Sequence, residues 1–189
     1  MLRGLSRRKC SNLLPFPDRI VEGNVQALLR VIRQAEGTEP NRRGIDPYTV
    51  VYGEAFELAD MSRHPADPAL GEKRWRGERL PDRYCRGAGL RPPCYSTAAG
   101  AYQLIWPTWH RMRERLRLPD FSAFSQDEAA RELLEERGAV TLLSMGDIAG
   151  ALRCASKEWA SLPYSSAHQP RITMAAAIDL FRSAGGAQA

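Results

Sequence analysis

Glu36 is the residue whose position along the chain most strongly indicates chemistry. It lies near the end of a helical stretch, residues 24–38, in which four apolar residues recur at helical spacing: Val25, Leu28, Leu29 and Ile32. At ~100° per residue, Glu36 lies on the same stripe, so its carboxyl is expected to face the core or a cleft wall. Burial and the negative end of the helix dipole both raise the pKa of such a carboxyl. A raised pKa suits a general acid, and the alternative is a structural Glu bonded to backbone or to an Arg.

A second group of polar residues follows a turn of small residues. Residues 96–104 read Ser-Thr-Ala-Ala-Gly-Ala-Tyr-Gln-Leu, and the small side chains allow backbones to approach closely. Tyr102 and Gln103 then present polar tips.

The histidines and cysteines favour neither nucleophilic nor metal chemistry. No histidine pairs with a Ser or Cys in an elbow motif, and no Cys-x-x-Cys or zinc-finger spacing occurs. His64 and His168 are predicted to be surface residues on loops. Cys85 and Cys94 flank a Gly- and Pro-rich stretch, where they either close a small loop or remain free thiols. Cys154 lies on an apolar helical pattern and is expected in the core.

The elements that must position these residues are mainly helical. Asn24 is the predicted N-cap of the first helix and Gly37 its C-terminal stop. The chain then predicts a strand at residues 48–52, where β-branched and aromatic residues cluster, and a long irregular loop at 61–95. Five further helices are predicted: Pro107 to Leu116, a Ser125–Glu128 capping box to Arg137, Val140 to Ser144, Asp147 onward, and Arg171 to Ser183. This pattern is an α+β, mainly helical fold.

Length and composition are those of one globular domain. The chain has 189 residues, of which 43% are hydrophobic and 26% charged. Its formal net charge of +5 favours an anionic partner. No apolar run reaches the ~20 residues of a membrane helix, and we expect no signal peptide. Residues 1–20 are predicted to be an extension, and residues 21–189 the domain.

Four stretches resemble the lambda phage endolysin family of lytic transglycosylases. They are Ala-Glu-Gly-Thr (35–38), Val-Val-Tyr-Gly-Glu-Ala-Phe (50–56), Ser-Thr-Ala-Ala-Gly-Ala-Tyr-Gln-Leu (96–104) and Trp-Ala-Ser-Leu-Pro (159–163). Their order and spacing agree with the family over residues ~24 to 186, and together they are specific. The chain departs from the family by an insertion around residues 73–94 and by Ala99 where the family has Gly.

The resemblance implies a lysozyme-like fold with a small β-hairpin region and a helical lobe. It implies that Glu36 is the catalytic acid for the β-1,4 bond between N-acetylmuramic acid and N-acetylglucosamine, with no metal and no cofactor. The predicted substrate-binding residues are Tyr102, Gln103, Glu54, Thr38 and Ser96. By the resemblance, Tyr102 and Gln103 form a cleft floor that orients the sugar, and packing between the two lobes is the alternative for both. Glu54 has a structural alternative, in which it bonds backbone near the strand.

A lytic transglycosylase needs only one carboxylate, whereas a hydrolase commonly needs two. Four residues are candidates for a second carboxylate: Glu39, Asp46, Glu54 and Glu57. A muramidase that uses water is therefore one alternative. A non-catalytic module that binds cell wall or nucleic acid is another, although the basic residues are scattered rather than grouped as in a nucleic-acid binder.

The expected partners and location also come from the resemblance. Glycan strands of peptidoglycan are the expected substrate, nucleic acid is not expected to bind, and the protein is expected to be a monomer. It is expected to accumulate in the bacterial cytoplasm and to reach the periplasm through a holin. Loops 61–95 and 162–170 are expected to form the two lips of the cleft.

Overall fold

The computed structural model describes residues 16–166 and 169–188. Its α-helices are α1 Asp18–Ala35, α2 Asp82–Gly87, α3 Trp106–Leu116, α4 Ala123–Glu136, α5 Ala139–Ser144, α6 Ile148–Ala155 and α7 Met174–Ser183. A two-stranded sheet, β1 Glu78–Arg79 and β2 Tyr95–Ser96, completes the regular structure, with short 3₁₀ helices at Pro47–Thr49, Tyr52–Glu54 and Pro68–Lys73. The predicted α+β, mainly helical fold class is confirmed. Residues 1–15 of the predicted extension lie outside the described residues.

Helix α1 runs through the centre of the helical lobe and contacts α4, α5 and α7. The predicted apolar stripe is confirmed, since Val25, Leu28, Leu29 and Ile32 are all buried. Burying one such side chain contributes roughly 1.5–3 kcal/mol, so this stripe contributes strongly to the fold. The left-handed φ of +72° at Gly37 ends the helix as predicted.

The predicted start of α1 is wrong, because the helix begins six residues earlier at Asp18 after Pro17. Asn24 is not an N-cap; it is buried within the helix, and its side chain has distant partners. Its Oδ1 accepts a bond from the Ala187 N–H at 2.7 Å. Its Nδ2 donates to the Leu143 carbonyl at 3.5 Å. Asn24 is therefore not a cap but a buried polar residue that ties α1 to the rest of the helical lobe.

The other helix ends follow local rules with two corrections, at the starts of α4 and α7. Helix α7 begins at Met174 after the N-cap Thr173, not at Arg171. Asp147 caps α6 by accepting from the Gly150 N–H at 2.8 Å, as predicted. The N-cap of α4 is Ser122, not Ser125. Ser125 is buried one turn into α4, where its hydroxyl donates to Asp120 at 3.0 Å. Gly138, with a φ of +73°, separates α4 from α5.

The predicted strand at residues 48–52 is wrong. Asp46 accepts a bond from the Tyr48 N–H at 3.0 Å, and Pro47 starts a 3₁₀ turn there. Val50 and Val51 make only isolated bridges, to Glu57 and Ala99 respectively. The β-branched residues thus pair one at a time, between two 3₁₀ turns, instead of forming a ladder.

The sheet that does form involves the predicted irregular loop 61–95: β1 lies within the loop and β2 spans its C-terminal end. Strands β1 and β2 are antiparallel, with Glu78 opposite Ser96 and Arg79 opposite Tyr95. Gly77 precedes β1 with a φ of +93°, and a Cβ there would lie 2.6 Å from the Ser96 carbonyl oxygen. Glycine is therefore required for this close approach of the two strands.

The structure answers the open question about Cys85 and Cys94 and gives the position of Cys154, which was expected in the core. Cys85 and Cys94 form a disulfide with their Cα atoms 5.8 Å apart, which closes the segment after β1. Cys154 is a free thiol on α6, half-buried and packed against the core. Among residues 16–166 and 169–188, no helix is both long and apolar enough to cross a membrane.

Candidate active site

Glu36 lies directly after the last residue of α1 and lines a cavity of about 290 Å³. Its backbone N–H still donates to the Ile32 carbonyl at 2.8 Å, so the helix fixes its position. Burial raises the pKa of the Glu36 carboxyl to about 7, and hydrogen bonds from Ser161 partly offset this rise. The Ser161 hydroxyl donates to Glu36 Oε1 at 2.6 Å. A carboxyl in this environment holds a proton near neutral pH, as a general acid requires.

The cavity lies between Glu36 at the end of α1, the small-residue turn at 96–104 and residues 158–160. Its lining residues are Glu36, Tyr52, Leu80, Ser96, Ala98, Tyr102, Gln103, Leu104, Ile105, Thr108, Leu133, Glu158, Trp159, Ala160 and Gln169. Leu80 belongs to loop 61–95 and Gln169 to loop 162–170, so each predicted lip contributes a residue to the cavity. Four of the predicted site residues also line it: Glu36, Ser96, Tyr102 and Gln103.

Hydrogen bonds from the side chain of Gln126 on α4 fix the small-residue turn at 96–104. Gln126 was not identified from the sequence. Its Oε1 accepts from the Ala101 N–H at 2.8 Å, and its Nε2 donates to the Phe121 carbonyl at 2.8 Å. A Cβ at Gly100 would lie 2.1 Å from Gln126 Oε1, which explains the glycine there. A buried amide 25 residues away from the turn carries no local sequence signal.

Tyr102 lines the cavity, but its side chain is fully buried and its hydroxyl is already bonded. The hydroxyl donates to Asp127 Oδ1 at 2.5 Å and accepts from Arg33 Nη1 at 2.9 Å. Burial raises the pKa of Tyr102 far above its usual range, and the neighbouring Asp127 carboxylate adds to this rise. The phenol therefore stays protonated. This geometry matches the packing alternative, and a contact between Tyr102 and substrate stays a prediction.

Gln103 and Thr38 are also bonded to backbone. Gln103 has a left-handed φ of +48°, and its Nε2 donates to the Gly100 carbonyl at 3.0 Å. The buried Thr38 hydroxyl lies 2.7 Å from the Ala101 carbonyl, to which it donates. Thr38 thereby joins the end of α1 to the small-residue turn and keeps Glu36 beside it. Substrate binding by these two residues stays a prediction.

Ser96 and Glu54 have different surroundings. Ser96 lines the cavity from β2, and its Oγ accepts from the Ala98 N–H at 3.2 Å. Glu54 is not among the residues lining this cavity; its Oε1 accepts from the Arg42 N–H at 3.3 Å. That contact matches the structural alternative for Glu54. A role in substrate binding stays a prediction for both residues.

None of the four candidates for a second carboxylate lines the cavity. Glu39 is ion-paired with Arg33 at 2.5 Å, and Asp46 caps the 3₁₀ turn. The cavity instead contains Glu158, which the sequence analysis missed. Glu158 Oε1 accepts from Arg137 Nε at 2.6 Å, so its charge is paired. It directly precedes the matched stretch at 159–163, and no pattern within that stretch points to it.

The expectation of a surface histidine is wrong for His64. It is fully buried, with Nε2 2.9 Å from the Leu104 carbonyl and Nδ1 accepting from the Ala66 N–H. Burial lowers the pKa of His64 to about 4, so the ring is neutral and serves as a core residue. His168 lies outside the described residues.

Comparison with known proteins places the chain in a family. The family model described as Endolysin matches residues 26–188. The chain is 34% identical to the endolysin of Escherichia phage lambda over 174 residues, which cover 88% of this chain and 96% of that protein. The endolysin of Escherichia phage P2 is 33% identical, with 88% and 95% covered.

Solved structures agree with the sequence comparisons. The structure of bacteriophage lambda lysozyme complexed with a chitohexasaccharide matches with a TM-score of 0.72 at 31% identity, covering 88% of this chain and 97% of that one. The fold is therefore lysozyme-like, as the sequence predicts. The chain belongs to the endolysin family, and this membership defines it as a lysozyme-like enzyme of cell-wall degradation.

Proposed function

We propose that this chain is a peptidoglycan lytic transglycosylase. In this reaction Glu36 first gives its proton to the oxygen that links N-acetylmuramic acid to N-acetylglucosamine, and the β-1,4 bond breaks. The Glu36 carboxylate then takes the proton of the C6 hydroxyl of the muramic sugar. The freed oxygen attacks C1 of the same ring and closes a 1,6-anhydro product, which leaves Glu36 protonated for the next cycle.

The observation that carries the proposal is that, among the described residues, Glu36 is the one carboxyl lining the cavity without an ion-pair partner. Glu36 has the raised pKa of an acid, about 7. The other carboxylate that lines the cavity among the described residues, Glu158, is bonded to Arg137 and is not free to activate water. A hydroxyl of the same sugar ring needs no second carboxylate to position it, because effective molarities for well-oriented groups reach ~10⁵ M or more.

The residues that line the cavity and a solved relative both support the proposed substrate. The cavity is flanked by two lips, and a related lysozyme was solved with a chitohexasaccharide. Glycan strands of peptidoglycan are accordingly the proposed ligand, bound by a monomer. We place the action of the enzyme in the periplasm, after accumulation in the cytoplasm and release by a holin.

Glu36→Gln tests the assignment of the acid. The variant should lose turbidity-clearing activity on chloroform-treated Gram-negative cells by a factor on the order of 10²–10⁴, because the amide can neither give nor take the proton. Circular dichroism should show the parent fold. Glu57→Gln, which changes an exposed carboxyl outside the cavity lining, is the matched control and should retain activity. A Glu36→Gln variant that lysed cells within a few-fold of the parent would exclude Glu36 as the acid.

A further inference from the structure

Nearly all of the excess positive charge of this protein can be assigned to one segment. Residues 73–94, here called the basic loop, contain seven Lys and Arg residues and two Asp and Glu residues, a formal net charge of +5. The whole chain also has a formal net charge of +5, so the rest of the sequence is neutral in sum. Basic residues are scattered along the whole chain, but acidic residues balance them outside the basic loop, so the net positive charge is local.

The arginines of the basic loop are mostly exposed and available. Arg76, Arg79, Arg83, Arg86 and Arg91 are all exposed. Arg79 is paired with Asp82 at 3.2 Å. Within the described part of the chain, Arg76, Arg86 and Arg91 have no carboxylate at ion-pair distance, which contrasts with the paired arginines of the helical lobe.

The basic loop is continuous with the cavity around Glu36. Leu80, directly after β1, lines the cavity, and α2 starts two residues later. Glu78 of β1 lies beside the segment that follows the cavity-lining Tyr52, since a Cβ at Gly53 would be 3.5 Å from Glu78 Cγ. Burial raises the pKa of Tyr52, and the neighbouring Tyr84 of α2 and Glu78 raise it further. The Arg83 guanidinium stacks on that Tyr84 ring, 5.0 Å from its centroid. The disulfide between Cys85 and Cys94 fixes α2 in this place.

We propose that the basic loop binds the carboxylates of the stem peptides attached to the glycan strand in the cavity. This inference rests on the proposed function. Each muramic sugar carries its peptide next to the bond that is cut, so the peptide must leave the cavity over its rim. Arginine forks suit carboxylates, and exposed arginines on a short disulfide-closed loop can meet them without burying charge. An anionic lipid surface is the other partner that the charge would suit, and it does not require the arginines to be at the rim.

The test compares one charge change on two substrates. The variant Arg83→Gln/Arg86→Gln changes α2, and Arg83→Lys/Arg86→Lys keeps its charge. Arg19→Gln/Arg182→Gln is the matched control. Arg19 lies at the start of α1, about 25 Å along the helix from Glu36. Arg182 lies near the end of α7, and the Ala187 N–H after α7 is bonded to Asn24 in the first half of α1.

The substrates are peptide-bearing glycan strands and the same strands stripped of peptide by an amidase. We expect the Gln pair to lower kcat/KM on peptide-bearing strands by roughly 3- to 10-fold, through KM, as two exposed charge contacts would. Activity on stripped strands should stay the same, the Lys pair should recover most of the loss, and the control should match the parent. The difference should shrink as salt is raised.

Three results would overturn the inference. They are an equal loss on both substrates, no loss on either, or a loss of binding to anionic phospholipid vesicles with the two activities unchanged. Co-sedimentation with peptide-bearing strands in a Glu36→Gln background tests the same contact without cleavage. A parent enzyme that cuts neither substrate would contradict the proposed function, while the binding experiment would still decide the inference.

Discussion

The Glu36 carboxyl is subject to two opposing influences. Burial raises its pKa, and the Ser161 hydroxyl and backbone N–H lower it by bonding the charged form, with the net result at about 7. Ser161 lies in the matched stretch at 159–163, far from Glu36 in sequence but 2.6 Å from its Oε1 in space. Ser161 is therefore the residue that lowers the pKa of the Glu36 carboxyl against the effect of burial.

Ser161→Ala should raise the pKa of Glu36 further. In the proposed reaction the protonated form of Glu36 starts the cleavage, so the fall in kcat/KM at alkaline pH should move upward by roughly one pH unit, as expected for a lost hydrogen bond to a charged group. The measurement is the pH profile of kcat/KM on glycan strands, with Ser161→Thr as the control that keeps the hydroxyl. An alkaline limb that stayed in place or moved downward would contradict this role.

Glu36 should also make the stability of the protein depend on pH. Its folded pKa of about 7 lies above the ordinary 4.5, so the folded state binds more protons than the unfolded state between these values. The free energy of unfolding therefore falls as pH rises through that window, by up to about 3 kcal/mol from this group. Glu36→Gln removes the effect, so the variant should gain stability relative to the parent between pH 4 and pH 8.

Urea unfolding of both proteins at pH 4 and pH 8 measures this change, and Glu57→Gln controls for loss of a charge at an exposed position. If the difference in free energy of unfolding between Glu36→Gln and the parent were the same at both pH values, a raised pKa of the Glu36 carboxyl would be excluded.

At the residue scale, the sequence predicts what local periodicity determines. The inward direction of Glu36 follows from its spacing to Ile32, since both lie on one face of α1. The partners of Tyr102 and Thr38 do not follow, because Asp127 and Ala101 lie 25 and 63 residues away from them. The pairing of Glu158 with Arg137 was missed for the same reason.

At the scale of elements, local hydrogen bonds explain where propensity misleads. Residues 48–52 have the composition of a strand, but Asp46 and Pro47 start a 3₁₀ turn before them, and Gly53 and Glu54 turn the chain after them with positive φ. The helices were easier to predict, because apolar spacing and end signals coincide in α3, α6 and the end of α1. The strands β1 and β2, two residues each, are too short to give a periodic signal.

The disulfide should stabilise the basic loop and the lip to which Leu80 belongs. The Leu80 N–H donates to the Cys94 carbonyl at 2.9 Å, and the Leu90 N–H donates to the Cys85 carbonyl at 2.8 Å, so the bridge and the lip form one unit. Replacing both cysteines with Ser should lower the free energy of unfolding by roughly 2–3 kcal/mol, the loop-closure value for about ten residues.

The same double variant should raise KM for glycan strands more than it lowers kcat, since Glu36 is on a different element. Cys154→Ser, which changes the free thiol on α6, is the control for loss of a cysteine side chain. Urea unfolding and steady-state kinetics give both readouts. If KM were unaffected while kcat fell, this segment would have no role as a lip.

At the scale of the molecule, the fold places the Glu36 carboxyl between two groups of elements. The helical lobe fixes Glu36 through α1, while the small-residue turn and the sheet form the facing wall of the cavity. Gln126 and Thr38 connect the two, each by bonding the backbone of Ala101. The chemistry that this arrangement permits depends on whether a second group can activate water.

The mass of the released glycan fragments tests this most directly. If Glu36 acts alone, the C6 hydroxyl is the nucleophile, and digestion of purified peptidoglycan should give 1,6-anhydro-muropeptides, lighter by one water than hydrolysis products and without a new reducing end. An inverting hydrolase would instead need a second carboxylate about 6.5–9.5 Å across the bond. Mass spectrometry of the digest should show the anhydro series as the main product. Reducing muramic ends as the main product would contradict the single-carboxyl mechanism and identify a muramidase.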